Sequence, residues 1–308
     1  MLLMLAALPG LFWSGAPGTA QALRDAGITQ ITVASAQAES WKGVTGVTVG
    51  AADPQKAVKL QAPTVEYRVD QASASRAPWL DSNGWQFLRR PQGRFYYDVK
   101  GAGSALAAAE AFSYGANALV GTDAAGLKPF AQMIEFLRGL GAEAMPAITD
   151  IGFIDDGSDV SGEVMNLMLR HNLLFQIVPS PDGRLKLNVR IGSKEYPAAD
   201  AQDPGAMAQV IRSNLTDEKR SLRIYGSPVV VARLTGSGGH VRVQLLNYAG
   251  AARKVDGLRV RILGNYPKHQ LAAAGSPGEQ LLDYTVDQAA TEFTLPELKT
   301  FAVIDLSR

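Results

Sequence analysis

The sequence predicts an α/β protein that ends in an all-β module. A short barrel-like or open parallel β/α region comes first, a flavodoxin-like α/β unit follows, and a C-terminal antiparallel β-sandwich closes the chain. Three observations support this class. Strand-like and helix-like segments alternate over the first 140 or so residues, and the alternation continues more compactly beyond Pro146. From Thr235 onward, strand-like runs separated by turn residues succeed one another without a helical pattern.

The first region, residues 1–145, has the segment pattern of a parallel sheet covered by helices. The strongest amphipathic pattern runs from 127 to 140, where Phe130, Met133 and Leu137 recur at helical spacing. Asp53-Pro54 is a typical helix start. Predicted strands occupy residues 11–13, 28–33, 44–49, 64–69, 95–99 and 117–120, and predicted helices occupy residues 19–26, 53–60, 104–114 and 127–140.

Two further domains are predicted, at residues 146–234 and 235–308. The first of them combines helical patterns at 162–171 and 205–214 with five short strands. The last contains the strictly alternating run HVRVQLL at 240–246. Predicted strands occupy residues 148–154, 174–178, 185–191, 221–225 and 228–234 in the α/β domain, and 240–246, 258–263, 280–286, 292–295 and 301–306 in the sandwich.

Composition excludes several classes of function. The 308 residues carry 30 basic and 29 acidic side chains, a net charge of +1, which argues against nucleic acid as a partner. The absence of cysteine excludes disulfides, thiolate metal sites and cysteine nucleophiles. The three histidines lie far apart in sequence, so neither a metal nor a cofactor is predicted. The acidic run at 155–159 precedes a predicted helix, whose dipole it complements.

Residues 76–98 are rich in aromatic, acidic and basic side chains together. Flat rings and fixed carboxylates are typical of a cleft that holds a polar ligand such as a sugar. Candidate ligand-binding residues are therefore Arg76, Trp79, Asp81 and Trp85. The alternative is a long connection pinned by two buried indoles.

Two stretches resemble a known family. Residues 97–120, which end in GANALV, are similar to the late barrel units of glycoside hydrolases of the β-galactosidase type. The final strands, from VRVQLLNYAG to TEFTLPELKTFAVIDL, resemble the terminal sandwich of those enzymes. The resemblance implies a barrel-like part at 1–145, a glutamine-amidotransferase-like part at 146–234 and carbohydrate as the substrate.

Glycoside hydrolysis requires two carboxylates on opposite sides of the bond, and barrel enzymes carry them at the C-terminal ends of strands. The predicted strands place Glu66, Asp70, Asp98 and Asp123 as candidates, of which Glu66, Asp98 and Asp123 are preferred. The alternative for Asp98 and Asp123 is a turn or helix-capping carboxylate. No strand ends in the Asn-Glu pair that such families use.

Three functions therefore stay open. The first is a carbohydrate-active protein that cleaves a glycosidic bond with a carboxylate pair, and the second is a non-catalytic carbohydrate-binding or scaffold protein with a degenerate barrel. The third is a cytoplasmic α/β enzyme of unrelated chemistry. The apolar residues 1–8 favour a secreted or periplasmic location, with the cytoplasm as the alternative. No segment is long and apolar enough to be predicted as membrane-spanning. The sequence leaves the oligomeric state open and allows a homo-oligomer.

Overall fold

A computed structural model describes residues 8–67, 78–141 and 145–308. The described chain groups into two compact units, the first from residues 8–64 and 90–141 and the second from residues 65–67, 78–89 and 145–308. Asp70, Arg76 and most of the apolar run at 1–8 lie outside the described residues. The division into three domains stays a prediction.

The first half of the chain contains the mixed strands and helices that the sequence predicts. In chain order these are β1 (Gly10–Phe12), α1 (Ala20–Asp25), β2 (Gln30–Ala34), β3 (Thr48–Ala52), β4 (Val58–Leu60), β5 (Thr64–Glu66), β6 (Trp79–Asp81), α2 (Gly84–Arg89), β7 (Arg94–Asp98), α3 (Gly103–Ser113), β8 (Asn117–Gly121) and α4 (Leu127–Gly139).

Six of these strands form one parallel sheet in the order β3-β2-β1-β8-β7-β4. Counted from the β4 edge, the strands run β4, β7 and β8 in chain order, and the sheet then continues with β1, β2 and β3. The pair of β8 with β1 joins these two halves, with Gly10 opposite Leu119 and Phe12 opposite Gly121. A β/α barrel closes through the same pairing of its last strand with its first. The sheet is thus a partial barrel, with β3 and β4 at its two edges.

One face of this sheet is covered by helices. The steps from β1 to β2 and from β7 to β8 run in the same direction, so right-handed crossovers place α1 and α3 on the same side. On β7 the buried side chains Phe95 and Tyr97 point to that side, where the Tyr97 hydroxyl donates a hydrogen bond of 2.6 Å to Glu110 of α3. We call the opposite side the inner face.

One predicted element in this region is wrong, and another is shorter than predicted. The segment 53–60 contains a single turn, Pro54–Lys56, followed by strand β4 rather than a helix. Asp53 does cap that turn, because its carboxylate accepts the Gln55 N–H at 3.2 Å. Val58 and Leu60 then favour an extended chain beside β7. The strand predicted at 64–69 is short, and β5 pairs with β6 in a separate two-stranded sheet.

The second unit also contains a three-stranded parallel sheet, whose strands β9 (Ile151–Phe153), β10 (Phe175–Ile177) and β11 (Leu187–Val189) lie in the order β10-β9-β11. The sheet is accompanied by the helices α5 (Asp159–Arg170) and α6 (Pro204–Leu215). Helix α5 starts at the cap residue Ser158, whose hydroxyl accepts the Ser161 N–H at 3.1 Å. Buried side chains of the strands and helices, including Phe153, Met165 and Ile211, form the core of this part.

The C-terminal part is a sandwich of two antiparallel sheets with four strands each. Its core holds Val243, Leu258, Phe293 and Ile304, all fully buried. The predicted α/β plus β-sandwich class is confirmed. The strands are β12 (Leu222–Tyr225), β13 (Val230–Ser237), β14 (His240–Asn247), β15 (Val255–Leu263), β16 (Lys268–Ala273), β17 (Leu282–Val286), β18 (Ala290–Leu298) and β19 (Phe301–Ser307). One sheet has the order β12-β15-β18-β17 and the other has the order β13-β14-β19-β16.

The sandwich recruits strands that sequence reasoning placed elsewhere. β12 and most of β13 precede Thr235, yet they pair with β15 and β14 of the sandwich. Throughout the described ranges, no helix combines the length and apolar character needed to cross a bilayer.

Candidate functional site

The candidate site lies on the inner face of the first unit, at the C-terminal ends of β7, β8 and β1. Alternation along β7 directs Tyr96 and Asp98 to this face, because Phe95 and Tyr97 are buried on the other. The strand register places Asp98 opposite Gly121 and Gly121 opposite Phe12. Ligand sites of parallel β/α proteins occupy this edge of the sheet.

Two aromatic rings meet on the sheet face that carries Asp98. The rings of Phe12 and Tyr96 contact each other edge to face, with centroids 5.4 Å apart. Gly121 makes room for the phenol, since a side chain there would collide with the Tyr96 hydroxyl. Burial, and then the charge of Asp98, raise the pKa of Tyr96, so its hydroxyl stays protonated and can donate. We call Phe12, Tyr96, Asp98 and Gly121 the Tyr96–Asp98 patch.

Asp123 follows the neighbouring strand β8 and holds a turn together. Its Oδ1 accepts the N–H of Gly101 at 2.9 Å and the N–H of Gly126 at 3.0 Å. The bond from Gly101 is the main cause that lowers the pKa of Asp123, which therefore remains ionised. This geometry is that of the turn-carboxylate alternative, and a catalytic role for Asp123 stays a prediction.

Glu66 and Asp81 lie in the second unit, on the two paired strands β5 and β6. Glu66 is exposed and Asp81 is half-buried. Burial, and then the charge of Glu66, raise the pKa of Asp81. The structure thus brings Asp98 and Asp123 to one sheet edge of the first unit, whereas Glu66 belongs to the other unit.

Trp79 and Trp85, both half-buried, fasten residues 78–89 to helix α5 within the second unit. The Arg170 guanidinium of α5 lies 4.0 Å from the centre of the Trp79 ring. The Trp85 ring covers Gly162, where a Cβ would lie 2.9 Å from the indole. These contacts match the alternative of a connection pinned by indoles. A ligand-binding role for either tryptophan stays a prediction.

An ion pair reinforces the same attachment. Arg89 donates two hydrogen bonds to Asp155, from Nε at 2.8 Å and from Nη2 at 2.7 Å, and a third from Nη2 to the Ser158 carbonyl at 2.9 Å. Asp159 stands in the first turn of α5, in the place expected for an acid ahead of a helix dipole. Among the residues that the structure describes, no three metal-type side chains come together.

Comparisons with known proteins bear on the fold. No family model matches the chain, and no curated protein matches it. Among solved structures, α-L-fucosidase isoenzyme 2 from Paenibacillus thiaminolyticus aligns with a TM-score of 0.57 at 10% identity, over 88% of this chain and 70% of that one. A catalytic mutant of Gan42B, a GH42 β-galactosidase from G. stearothermophilus, gives a TM-score of 0.39 at 6% identity, over 86% and 64%.

A third similar structure is a GH30 endoxylanase from Clostridium papyrosolvens, with a TM-score of 0.21 at 11% identity over 98% of this chain and 97% of that one. Only the fucosidase exceeds 0.5 among these three, and at 10% identity it shows the fold alone. The chain therefore has a glycoside-hydrolase-like fold. The amidotransferase-like part that the sequence resemblance implies stays a prediction.

Sequence reasoning nominated Asp98 but missed Phe12 and Tyr96. Both lie within predicted strands, at 11–13 and 95–99. The signal that could have found Tyr96 is the alternation of RFYYD, which puts it on the same face as Asp98. Phe12 could be placed only once β1 was known to lie beside β8, and that pairing spans more than a hundred residues.

Proposed function

We propose that the protein binds a saccharide at the Tyr96–Asp98 patch. The observation that carries the proposal is an exposed carboxylate beside the partly exposed Tyr96 ring, at the C-terminal edge of a parallel sheet. The glycoside-hydrolase-like fold supports a sugar over other small polar ligands. The Asp98 oxygens accept hydrogen bonds from hydroxyl groups, and the exposed part of the Tyr96 ring covers the apolar side of a sugar.

Hydrolysis is the second candidate, and the pairing of Asp98 with Asp123 favours it. Both acids lie at the C-terminal ends of adjacent strands, the edge at which barrel enzymes carry their active sites. The N–H groups of Gly101 and Gly126 lower the pKa of Asp123, which suits the ionised member of such a pair. Two N–H groups already bind one oxygen of Asp123, which supports binding over catalysis.

The test is calorimetric titration with a panel of neutral monosaccharides and oligosaccharides. We expect Asp98→Asn to weaken binding about tenfold, since it removes a charged hydrogen-bond acceptor. Tyr96→Leu should weaken it by a similar factor. The matched control is Asp25→Asn, an exposed acid at the end of α1, which should bind like the wild type. Unchanged affinity in both Asp98→Asn and Tyr96→Leu would exclude this site.

Chromogenic glycosides test the hydrolytic candidate separately. If the wild type releases the chromophore, we expect Asp98→Asn to lower the rate about a hundredfold or more, because it removes one carboxylate of the pair. Wild-type activity retained by Asp98→Asn would remove Asp98 from catalysis. No release from any glycoside, together with measured saccharide binding, would leave a binding protein.

Carbohydrate is accordingly the partner that we propose. Export to the periplasm or the cell exterior, with the cytoplasm as the alternative, and assembly into a homo-oligomer both stay predictions from the sequence.

A further inference from the structure

The outer face of one sandwich sheet carries three arginines on two neighbouring strands. Leu222 and Ile224 of β12 pack into the sandwich core, as do Val260 and Ile262 of β15. Alternation therefore turns Arg223 and Tyr225 of β12, and Arg259 and Arg261 of β15, to the outside. We call Arg223, Tyr225, Arg259 and Arg261 the outer arginine face.

Two of these arginines lie directly opposite each other. The register of β12 on β15 pairs Arg223 with Arg261, and Tyr225 with Arg259. Like charges at opposed positions of an antiparallel pair destabilise a sheet.

The neighbouring carboxylates are shared among several arginines. Glu292 of β18 accepts from Arg259 Nη2 at 3.0 Å and lies 3.2 Å from Arg261 Nε. Asp217 lies 3.6 Å from Arg223 Nη2, but it already binds Arg212 and Arg220 at 3.1 Å each. Asp287, whose pKa is lowered chiefly by the Ala290 N–H, feels the charge of Arg261 only as a minor effect.

The opposed arginines are the least satisfied members of the face. Within the described chain, Arg223 Nε and Arg261 Nη1 have no hydrogen-bond partner. Both atoms are buried, although the two side chains as a whole remain 21% and 19% exposed. An anion bound at the exposed part of the two side chains would offset the mutual repulsion of their charges.

An aromatic ring adjoins this pair. Tyr225 is 40% exposed, and the Arg223 guanidinium lies 5.1 Å from the centre of its ring. An exposed ring beside a cationic pair suits a sugar that carries an acidic group. The ring covers the apolar side of the sugar, and the two planar forks match the planar geometry of a carboxylate.

We propose that Arg223 and Arg261 bind the carboxylate of a uronic acid unit in an acidic saccharide, with Tyr225 stacked on the sugar ring. The choice of a saccharide rests on the proposed function, but the site is separate: it belongs to the sandwich of the second unit and needs neither Tyr96 nor Asp98. It holds its ligand without cleaving it.

The experiment titrates the full chain with a galacturonic acid oligomer and with the matching neutral galactose oligomer. We expect the acidic oligomer to bind, and the double variant Arg223→Gln/Arg261→Gln to lose about 10- to 100-fold in affinity. The control Arg253→Gln/Lys268→Gln removes the same charge from exposed positions of the sandwich and should bind like the wild type. Circular dichroism and thermal melting establish that each variant is folded.

Two single variants test the site if the double variant does not fold, and two other polyanions test rival ligands. Tyr225→Ala changes only an exposed strand end and should weaken binding several-fold, and Arg223→Lys should lose affinity because ammonium lacks the bidentate fork. Equal losses in both double variants, tight binding of dextran sulfate or duplex DNA in place of the uronate, or no uronate binding would each overturn the proposal. Asp98→Asn should leave uronate affinity unchanged, which separates this test from that of the Tyr96–Asp98 patch.

Discussion

Asp98 and Asp123 are the same residue type at the ends of neighbouring strands, yet their carboxylates have different surroundings. Asp123 accepts the N–H groups of Gly101 and Gly126, whereas Asp98 is exposed beside the Tyr96 ring. The sequence shows both as acids after a strand, because hydrogen bonds to distant backbone groups leave no local pattern. That difference makes a structural role the simpler one for Asp123 and a ligand-binding role the simpler one for Asp98.

We expect Asp123→Ala to destabilise the first unit and Asp98→Ala to have little effect on its stability. The first substitution leaves the N–H groups of Gly101 and Gly126 without their acceptor, and the second removes an exposed side chain. Thermal melting should show a lower Tm for Asp123→Ala alone. A larger decrease in Tm for Asp98→Ala would contradict these assignments.

The pH dependence of the protein's stability should show how much the charge of Asp217 contributes to it. Its bond with Arg212, followed by that with Arg220, lowers the pKa of Asp217 from 3.8 to about 2. A carboxyl whose pKa is lower in the folded state stabilises that state above its unfolded pKa and loses the effect as pH falls through the folded value. Asp217 should therefore stabilise the protein above about pH 4, and this contribution should vanish near pH 2.

Denaturant unfolding of the wild type and of Asp217→Asn measures this contribution. The difference in their free energies of unfolding should be full at about pH 6 and clearly smaller at about pH 3. A difference that stays constant over this range would show that the Asp217 charge does not stabilise the fold.

At the scale of elements, the attachment of α2 to α5 depends on a residue that has no side chain. Gly162 of α5 lies under Trp85, and an added Cβ would be 2.9 Å from the indole and 3.0 Å from Arg89 Nη1. We expect Gly162→Ala to destabilise the protein by about 1–3 kcal/mol through overpacking, despite the higher helix propensity of alanine.

Gly139→Ala is the matched control, since nothing lies within 4 Å of a Cβ at the end of α4. It should be neutral or stabilising by up to about 1 kcal/mol. Chemical denaturation of both variants, followed by tryptophan fluorescence, measures the two effects. Equal effects of the two substitutions would show that Trp85 does not press on α5.

The accuracy of sequence reasoning followed the strength of local patterns. β14 and β19 are predicted almost in full, and β15 from Leu258 onward, because HVRVQLL and LRVRIL alternate apolar and other residues and FAVIDL is a short, mostly apolar run. β16 was missed because KHQLAA is a partly exposed edge strand whose first three residues all face solvent. The Asp53-Pro54 start correctly predicted a cap, but the cap continues for one turn only.

At the scale of the whole molecule, the sequence predicted the fold class but not the order of the strands. Nothing near Gly10–Phe12 indicates that it pairs with Asn117–Gly121 at the middle of the sheet. For the same reason the predicted site contained Asp98 without its aromatic neighbours. Residues 64–66 and 78–89 illustrate a related limit, since they lie between strands of the first unit in sequence and belong almost entirely to the second in space.

The two units should respond to separate core substitutions. Val120 of β8 and Leu295 of β18 are fully buried in the first and second unit, respectively. We expect Val120→Ala to cost about 2 kcal/mol and Leu295→Ala about 2–5 kcal/mol. In scanning calorimetry, each substitution should lower a different part of the unfolding endotherm, because chains with more than one unit need not unfold in one step. A single transition shifted by both would contradict the division.

The pairing of β8 with β1 also has a consequence for biosynthesis. One edge of Gly10–Phe12 has no partner until the ribosome has added more than a hundred further residues. Such a high contact order predicts slow folding and a nascent chain with an open sheet edge, where association with other chains competes with completion. Trigger-type chaperones that shield a growing chain should therefore raise the soluble yield of this protein more than they raise that of a helical protein of equal length.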